Sequence, residues 1–296
     1  MAPRDRQSRL GGDPAPSGTS DPRGPESGDG RLKLEVRPAR DEREKQLSLE
    51  IYNGVWPWDS VTMDEVRHFE RRALDYADFV GWLDGEPAGS LAIALLPSRP
   101  SVGYALLTVL PDHRSRGVGT ALYDVGCGWL SERGVREAEG PIAEDDDESL
   151  AWARRRGFRE VERSSRLVLE LRDYDPPPVA PPAGIEIVSW AEQPQAARGM
   201  YDVACEAFPD IPGGEDEVIE PFDEWLESHM RGSGDLPEAT FVALAGEEVV
   251  GYAKFSLTAA RPRDANHDMT GVKRAWRGRG VAGALKRAQI AWAKDA

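Results

Sequence analysis

The chain has 296 residues, a length that suits two domains, and its 40% hydrophobic and 30% charged residues predict a soluble globular protein. Its formal net charge of −15 argues against a nucleic-acid-binding protein, because such proteins present a basic face to the phosphates. An acidic surface either attracts cationic partners such as amines or only keeps the protein soluble. No apolar run is long enough to predict a bilayer span.

The N-terminal segment, residues 1–31, is rich in Gly, Pro, Ser, Arg and Asp, which predicts a disordered tail. Alternating apolar residues predict the first strand at Leu32–Val36. Periodicity predicts a helix over Asp41–Asn53, followed by the loop Val55-Trp-Pro-Trp58. The pattern Thr62-Met-Asp-Glu65 is typical of a capping box and predicts the start of a second helix.

The centre of the first predicted domain is a strand, a glycine-containing turn and a helix. Asp84-Gly85 between two apolar runs predicts a hairpin, and the run Tyr104–Leu110 then predicts a buried strand. The motif Arg114-x-x-Gly117-x-Gly119 follows, and the next helix is predicted over Val118–Arg133. Such a turn indicates an anion site, because the first N–H groups of a helix lack internal partners and glycines let a phosphate approach.

We place the first domain at residues 32–173. In its remaining part, the sequence predicts a strand, a helix and the closing strands. The strand is expected at Arg136–Ala143, the helix at Ser149–Arg156 and the closing strands within Arg159–Leu171. The acidic run Glu144–Glu148 predicts a solvated helix start and no metal site, because consecutive carboxylates point in different directions.

Proline-rich residues 174–184 predict a semi-rigid linker, and residues 185–296 predict a second domain. In that domain Arg277-x-x-Gly280-x-Ala282 aligns without a gap to the first motif and again precedes a predicted helix, Val281–Lys294. Repetition at this length indicates two related domains. The sequence stops just after this helix, so we expect the second domain to be C-terminally incomplete, as in a truncated record or gene product.

Two such motifs, each between a strand and a helix, resemble the central motif of the GNAT acetyltransferases. The chain is similar in layout to tandem GNAT proteins such as the mycothiol synthases. A dinucleotide-binding fold fits less well, because its fingerprint needs G-x-G-x-x-G and a later acidic residue. The resemblance implies an α/β protein with two tandem domains, each with a mixed, centrally splayed sheet flanked by helices.

The resemblance also implies acetyl-CoA as co-substrate, with its pyrophosphate on the glycine turn, its pantetheine arm along the central strand and no metal. The residues so implied in the first domain are Leu107, Thr108, Val109, Arg114, Ser115, Arg116, Gly117, Val118, Gly119 and Thr120. Those in the second domain are Thr270, Gly271, Val272, Arg277, Gly278, Arg279, Gly280, Val281, Ala282 and Gly283.

The activity implied is N-acetylation of a small-molecule amine by direct acetyl transfer. The candidate general bases are His267, Asp268 and Tyr104, although the first two also fit solvated loop residues and the third a packed aromatic. Ala153 stands where the family commonly has the tyrosine that protonates the leaving thiolate. Trp56, Trp58, Glu65 and His68 lie in the segment that covers the acceptor pocket in the family.

Two other functions fit the same pattern. One is a non-catalytic, acyl-CoA-binding or regulatory tandem protein, which the alanine at position 153 favours. The other is acetylation of protein N-termini or lysines. Cys127 and Cys205 form no disulfide or metal pattern, and the N-terminus shows no signal-peptide core, so we expect a cytoplasmic protein.

Overall fold

A computed structural model of the protein describes residues 6–12, 33–211, 219–232 and 234–296. Contacts divide the chain into two units. Unit 1 comprises Met1–Met63 and Glu70–Val168, and unit 2 comprises Asp64–Phe69 and Leu169–Ala296. Each unit contains its own sheet and helices, which confirms the predicted α/β class with two similar halves.

The sheet of unit 1 has seven strands in the order β2-β3-β4-β5-β6-β1-β7. The strands are β1 (Arg6–Gly12), β2 (Leu34–Pro38), β3 (Asp75–Leu83), β4 (Glu86–Leu96), β5 (Arg99–Val109), β6 (Glu137–Ala143) and β7 (Arg159–Ser165). The helices in this part of the chain are α1 (Glu42–Val55), α2 (Met63–Arg72), α3 (Val118–Glu132) and α4 (Asp147–Arg154).

The sheet of unit 2 has four antiparallel strands in the order β11-β10-β9-β8. These strands are β8 (Glu186–Ser189), β9 (Phe241–Ala245), β10 (Glu248–Thr258) and β11 (Arg261–Val272). The helices are α5 (Ala197–Ala207), α6 (Phe222–Met230) and α7 (Val281–Asp295). No helix in the described ranges has the length and apolar character needed to cross a membrane.

Each unit packs its motif helix against its sheet through the same kind of residue. In α3 the side chain of Leu122 is fully buried against Leu91 of β4, in a cluster that includes Val118. In α7 the corresponding Leu285 is fully buried in a cluster with Val250 of β10. This burial fixes where each helix begins, and therefore where each glycine turn lies relative to its central strand.

The central sheet of unit 1 is splayed, as predicted. Strands β5 and β6 pair in parallel only where Val102–Tyr104 of β5 lie beside Glu137–Glu139 of β6. β5 continues to Val109 and β6 continues to Ala143, without pairing between the two. The strands therefore diverge beyond Tyr104 and leave an open edge on β5.

The closing part of the sheet differs from the sequence prediction. Strand β1, at Arg6–Gly12, pairs with both β6 and β7, although we expected disorder in this segment. Residues 1–5 and 13–31 of the predicted tail lie outside the described residues. Leu167–Leu171, which we expected in the closing strands, follows the end of β7 and is not in a strand. An open sheet edge needs a partner strand for its backbone groups, and the alternation of apolar residues does not decide which segment supplies that strand.

Candidate active site

The glycine turn before α3 presents free helix N–H groups. Gly117 is the N-cap residue of α3, with φ of 92°, and among the residues that the structure describes no side chain caps this helix end. Ser115 also has a positive φ, of 57°, so the loop turns sharply twice before the helix begins. The left-handed backbone conformation at position 117 favours glycine, because a residue with a Cβ rarely adopts it. The positive end of the helix therefore remains available to an anion.

The neighbouring edge of β5 is also available for hydrogen bonds. The N–H of Leu110 donates to the carbonyl of Ala88 at 3.0 Å, and Val109 lies opposite Gly89. Because backbone groups alternate between the two sides of an antiparallel strand, those of Val109 and Leu107 point away from β4. They point toward the edge that β6 leaves open. The backbone of Thr108 points toward β4 instead, which corrects its predicted role in backbone pairing with a ligand.

A cavity of about 670 Å³ in unit 1 connects this edge to the turn and to α4. Eight of the ten residues predicted from the first motif line it: Leu107, Thr108, Val109, Arg114, Ser115, Gly117, Gly119 and Thr120. The other two do not. Val118 is 1% exposed and packs in the core, and Arg116 is exposed to solvent. Trp56 and Trp58 line the cavity, as we expected for the acceptor side, whereas Tyr104 is not part of the lining.

Arg114 shapes the turn. Its Nε donates to the carbonyl of Val109 at 3.4 Å, and its guanidinium lies 3.1 Å from Asp146. Asp146 also accepts from the N–H of Ser149 at 3.0 Å and so caps α4, in agreement with the predicted helix start at the acidic run. Arg114 therefore ties the turn to β5 and α4, and its charge is already compensated by a carboxylate.

Unit 2 repeats this geometry at the second motif. The Nε of Arg277 donates to the carbonyl of Val272 at 2.9 Å, and the N–H of Lys273 donates to Val250 at 2.9 Å. Gly280 caps α7 with φ of 89°, and Gly278 has φ of 73°. By the same alternation, the backbone groups of Val272 and Thr270 point away from β10, and those of Gly271 point toward it.

The other residues predicted at the second motif lie around the start of α7. Val281 is 1% exposed and belongs to the core, as Val118 does in unit 1. Ala282 and Gly283 lie in the first turn of the helix, and Arg279 stacks on Trp276 at 5.0 Å. The two turns thus match in backbone form.

Asp210, in the 3₁₀ turn Phe208–Asp210 that follows α5, holds the second glycine turn in place. It pairs with Arg274 at 2.9 Å and with Arg277 at 2.6 Å. The side-chain hydrogen bonds from these two arginines lower the pKa of Asp210 to about 2. A carboxyl whose folded pKa is lowered stabilises the fold above its ordinary pKa, and this contribution is lost as the pH falls toward 2.

We therefore expect the stability of Asp210→Asn to depend less on pH, in the acid range, than the stability of wild type does. Thermal melting followed by circular dichroism should show that wild type loses an advantage over the variant between about pH 4 and pH 2. Asp202→Asn is the control, because Asp202 pairs with Arg198 of the same helix at a long 3.9 Å. A constant difference between wild type and Asp210→Asn across this range would contradict the assignment.

The two candidate bases of unit 2, His267 and Asp268, contact different neighbours in the structure. The Nε2 atom of His267 lies 2.8 Å from the Thr270 hydroxyl, and burial, followed by the charge of Lys286, lowers the pKa of His267. Asp268 instead accepts from Ser256 at 2.9 Å and lies 3.4 Å from the Nζ of Lys254. The register of the β10–β11 pairing shifts between His267 and Met269, so Asp268 is the extra, unpaired residue of a bulge in β11.

Burial is the largest influence on Asp268 and raises the pKa of its carboxyl, while Lys254 acts in the opposite direction. Two further residues that we expected near a substrate also lie in unit 2. Glu65 accepts from the Thr258 hydroxyl at 2.7 Å, and the Nε2 atom of His68 is 3.2 Å from the carbonyl of Ser228. Neither residue lines the cavity of unit 1.

Sequence analysis assigned no role to three cavity residues that the structure brings together. The ring of Tyr123 in α3 packs edge-on against Trp152 of α4 at 5.7 Å. The guanidinium of Arg156 stacks on Trp152 at 3.9 Å and donates to the Thr120 hydroxyl at 2.6 Å. Burial, followed by the neighbouring Cys127 thiol, raises the pKa of Tyr123 to about 12. The pairing of two helices distant in sequence creates this group, so no local pattern reveals it.

Comparisons with known proteins agree with this geometry. The model of the GNAT family of acetyltransferases matches residues 41–158 and 197–296. No curated relative matches the sequence.

Two solved structures are similar over most of their length. A GCN5-related N-acetyltransferase from Sphaerobacter thermophilus is 20% identical, with a TM-score of 0.63, and the match covers 88% of this chain and 82% of that one. A tandem GNAT protein from the clavulanic acid biosynthesis pathway gives the same identity and TM-score, with 88% and 85% covered. These likenesses show the fold, and the family model covers more than half of the sequence. The chain belongs to the GNAT family of acetyltransferases.

Proposed function

We propose that the protein transfers an acetyl group from acetyl-CoA to a small-molecule amine, and that unit 1 carries out this reaction. The observation that supports this most is the cavity of unit 1. It joins an uncapped helix N-terminus and an open strand edge to a wall formed by Trp56 and Trp58. The first two features suit the phosphates and amides of acetyl-CoA, and the indoles suit an acceptor.

The residues present fit acetyl-CoA. The first-turn N–H groups after Gly117 have no side-chain cap in the described part of the chain and would hold the pyrophosphate. The backbone groups of Leu107 and Val109 would pair with the amides of the pantetheine arm. A Cβ at Gly119 would point toward Val109 and Trp152, into the volume that the co-substrate needs. Thr108 lines the same cavity, and its buried hydroxyl has no hydrogen-bond partner among the described residues.

When bound, acetyl-CoA would supply the acetyl group as a thioester. The amine nitrogen, after losing one proton to solvent, forms a bond to the acyl carbon and gives up a second proton to water as the amide forms. The carbon–sulfur bond breaks, and the sulfur leaves as a thiolate that takes a proton in turn. A backbone N–H on the open edge of β5, at the end of the pantetheine arm away from the glycine turn, would polarise the acyl oxygen. Tyr123 would hold the proton for the thiolate, because a pKa of about 12 keeps its hydroxyl protonated at neutral pH.

Tyr123 compensates for Ala153 in this proposal. Ala153 is 1% exposed and lines the cavity from α4, and its methyl group has no proton to give. The ring of Tyr123 reaches the same helix from α3 and packs on Trp152. The structure thus offers a phenol in a cavity where the usual position has none.

The aromatic wall supports an amine as the acceptor. Trp56 and Trp58 pack edge to face at 5.2 Å, and the Trp58 ring already holds the guanidinium of Arg166 at 5.3 Å. An indole face attracts cations, so this wall suits a protonated amine before it loses its proton. The acidic net charge of the chain acts in the same direction over longer distances.

Turnover of acetyl-CoA against a panel of amines tests this function. CoA release is measured with a thiol reagent, and products are identified by the mass of one added acetyl group. We expect transfer to small amines, and no transfer by Gly119→Glu under the same conditions. Tight binding without turnover would instead favour the non-catalytic alternative, which Ala153 supports. Transfer confined to peptide N-termini or lysine side chains would favour a protein acetyltransferase.

A further inference from the structure

The side chain of Arg114, the arginine of the first motif, is already engaged by other groups of the protein. Arg114 donates to the carbonyl of Val109 and is paired with Asp146. Arg277 makes the equivalent contacts with Val272 and Asp210 in unit 2. Because the same bonds recur in both units, this arginine builds the turn and does not supply a free positive charge. A pyrophosphate in the cavity of unit 1 therefore needs its side-chain cation from another residue.

Arg156 has the placement that such a cation needs. It follows α4, yet its guanidinium donates to Thr120 at 2.6 Å, and Thr120 lies in the first turn of α3. Both residues line the cavity. Arg156 makes ion-pair contact with no carboxylate within the described ranges, and its only other hydrogen bond goes to the carbonyl of Trp152 at 3.3 Å.

Aromatic rings fix the direction of this guanidinium. Arg156 stacks over the Trp152 indole at 3.9 Å and lies 5.6 Å from the Tyr123 ring centre. Stacking leaves the N–H groups in the plane of the guanidinium free to make bidentate contacts, a geometry that suits phosphate oxygens. A lysine at this position would keep the charge and lose both the stack and the fork.

We propose that Arg156 is a phosphate-binding residue that holds the pyrophosphate of CoA against the first turn of α3. This inference rests on the proposed use of acetyl-CoA by unit 1. The contact with Thr120 places the guanidinium at the turn, so we assign it to the pyrophosphate and not to the 3′-phosphate. The Thr120 hydroxyl would release the guanidinium or share it when the phosphate binds.

Isothermal titration with CoA and with 3′-dephospho-CoA tests this assignment. Arg156→Gln should weaken the binding of both ligands by the same factor, on the order of 10- to 100-fold, as expected for loss of a charged hydrogen bond. Arg156→Lys should lie between Arg156→Gln and wild type. Arg154→Gln is the matched control, because it removes the same charge from an exposed neighbour that does not line the cavity.

The outcomes separate this inference from the proposed function. Wild type that binds neither ligand would refute the use of acetyl-CoA. Wild-type binding that Arg156→Gln leaves unchanged would refute only the role of Arg156. A loss seen with CoA and absent with 3′-dephospho-CoA would assign Arg156 to the 3′-phosphate and overturn our proposal. Thermal melting of Arg156→Gln and Arg156→Lys verifies that both variants are folded.

Discussion

Replacing Gly119 with glutamate should abolish acetyl-CoA binding while the protein stays folded. Gly119 is the second residue of α3, and an added Cβ would meet Val109, Leu107 and Trp152 at ordinary contact distances of 3.5–3.9 Å. The helix therefore accepts a side chain at this position without backbone strain. The carboxylate would enter the cavity at the helix N-terminus and repel the pyrophosphate. We expect calorimetry to show affinity reduced by about 100-fold or more.

Gly128→Glu provides the matched control for this substitution. Gly128 lies in the same helix, is exposed, and has no heavy atom within 4 Å of an added Cβ. It receives the same charge far along the helix from the turn, so its affinity should equal that of wild type. If folded Gly119→Glu protein binds acetyl-CoA as wild type does, the pyrophosphate does not lie at this helix end.

Replacing Tyr123 with phenylalanine should lower kcat by about 100-fold, with little change in the affinity for acetyl-CoA. The phenol would act only when the thiolate leaves, and a positioned general acid contributes 10²- to 10⁴-fold. The ring and its contacts with Trp152 and Phe158 are kept, so the cavity should retain its shape. Single-turnover rates and titration calorimetry would separate the chemical step from binding.

Tyr201→Phe is the control for loss of a hydroxyl. Tyr201 lies in unit 2, where its hydroxyl donates to the carbonyl of Glu220 at 3.0 Å, so kcat should stay near the wild-type value. A Tyr123→Phe variant with wild-type kcat would remove the phenol from the mechanism. Catalysis lost in Tyr201→Phe and retained in Tyr123→Phe would move the active site to unit 2.

The local features of the fold were predictable from the sequence. The predicted helix Val118–Arg133 is observed as α3, Val118–Glu132, because the glycine turn and the apolar spacing are both local signals. The central strand was predicted to begin at Tyr104, and β5 begins earlier, at Arg99. Of the additional residues, those at positions 99–102 are exposed or half-buried and lack an apolar pattern, so pairing with β4 decides their conformation.

Long-range pairing was not predictable, and it determines much of the candidate site. Arg156 and Thr120 are 36 positions apart, and their contact depends on how α4 packs beside α3. Likewise, Asp268 is the extra residue of a bulge in β11, which follows from the pairing with β10 and not from the local sequence. The motif located the turn, and only the structure shows that Val109 and Asp146 engage the guanidinium of Arg114.

A crystal structure of the protein grown with CoA tests the central claim most directly. We predict the pyrophosphate on the N–H groups that follow Gly117, within reach of Arg156, and the pantetheine arm along Leu107 and Val109 toward Tyr123. Electron density for CoA elsewhere on the chain, or an empty cavity in unit 1 at a saturating concentration, would contradict the account.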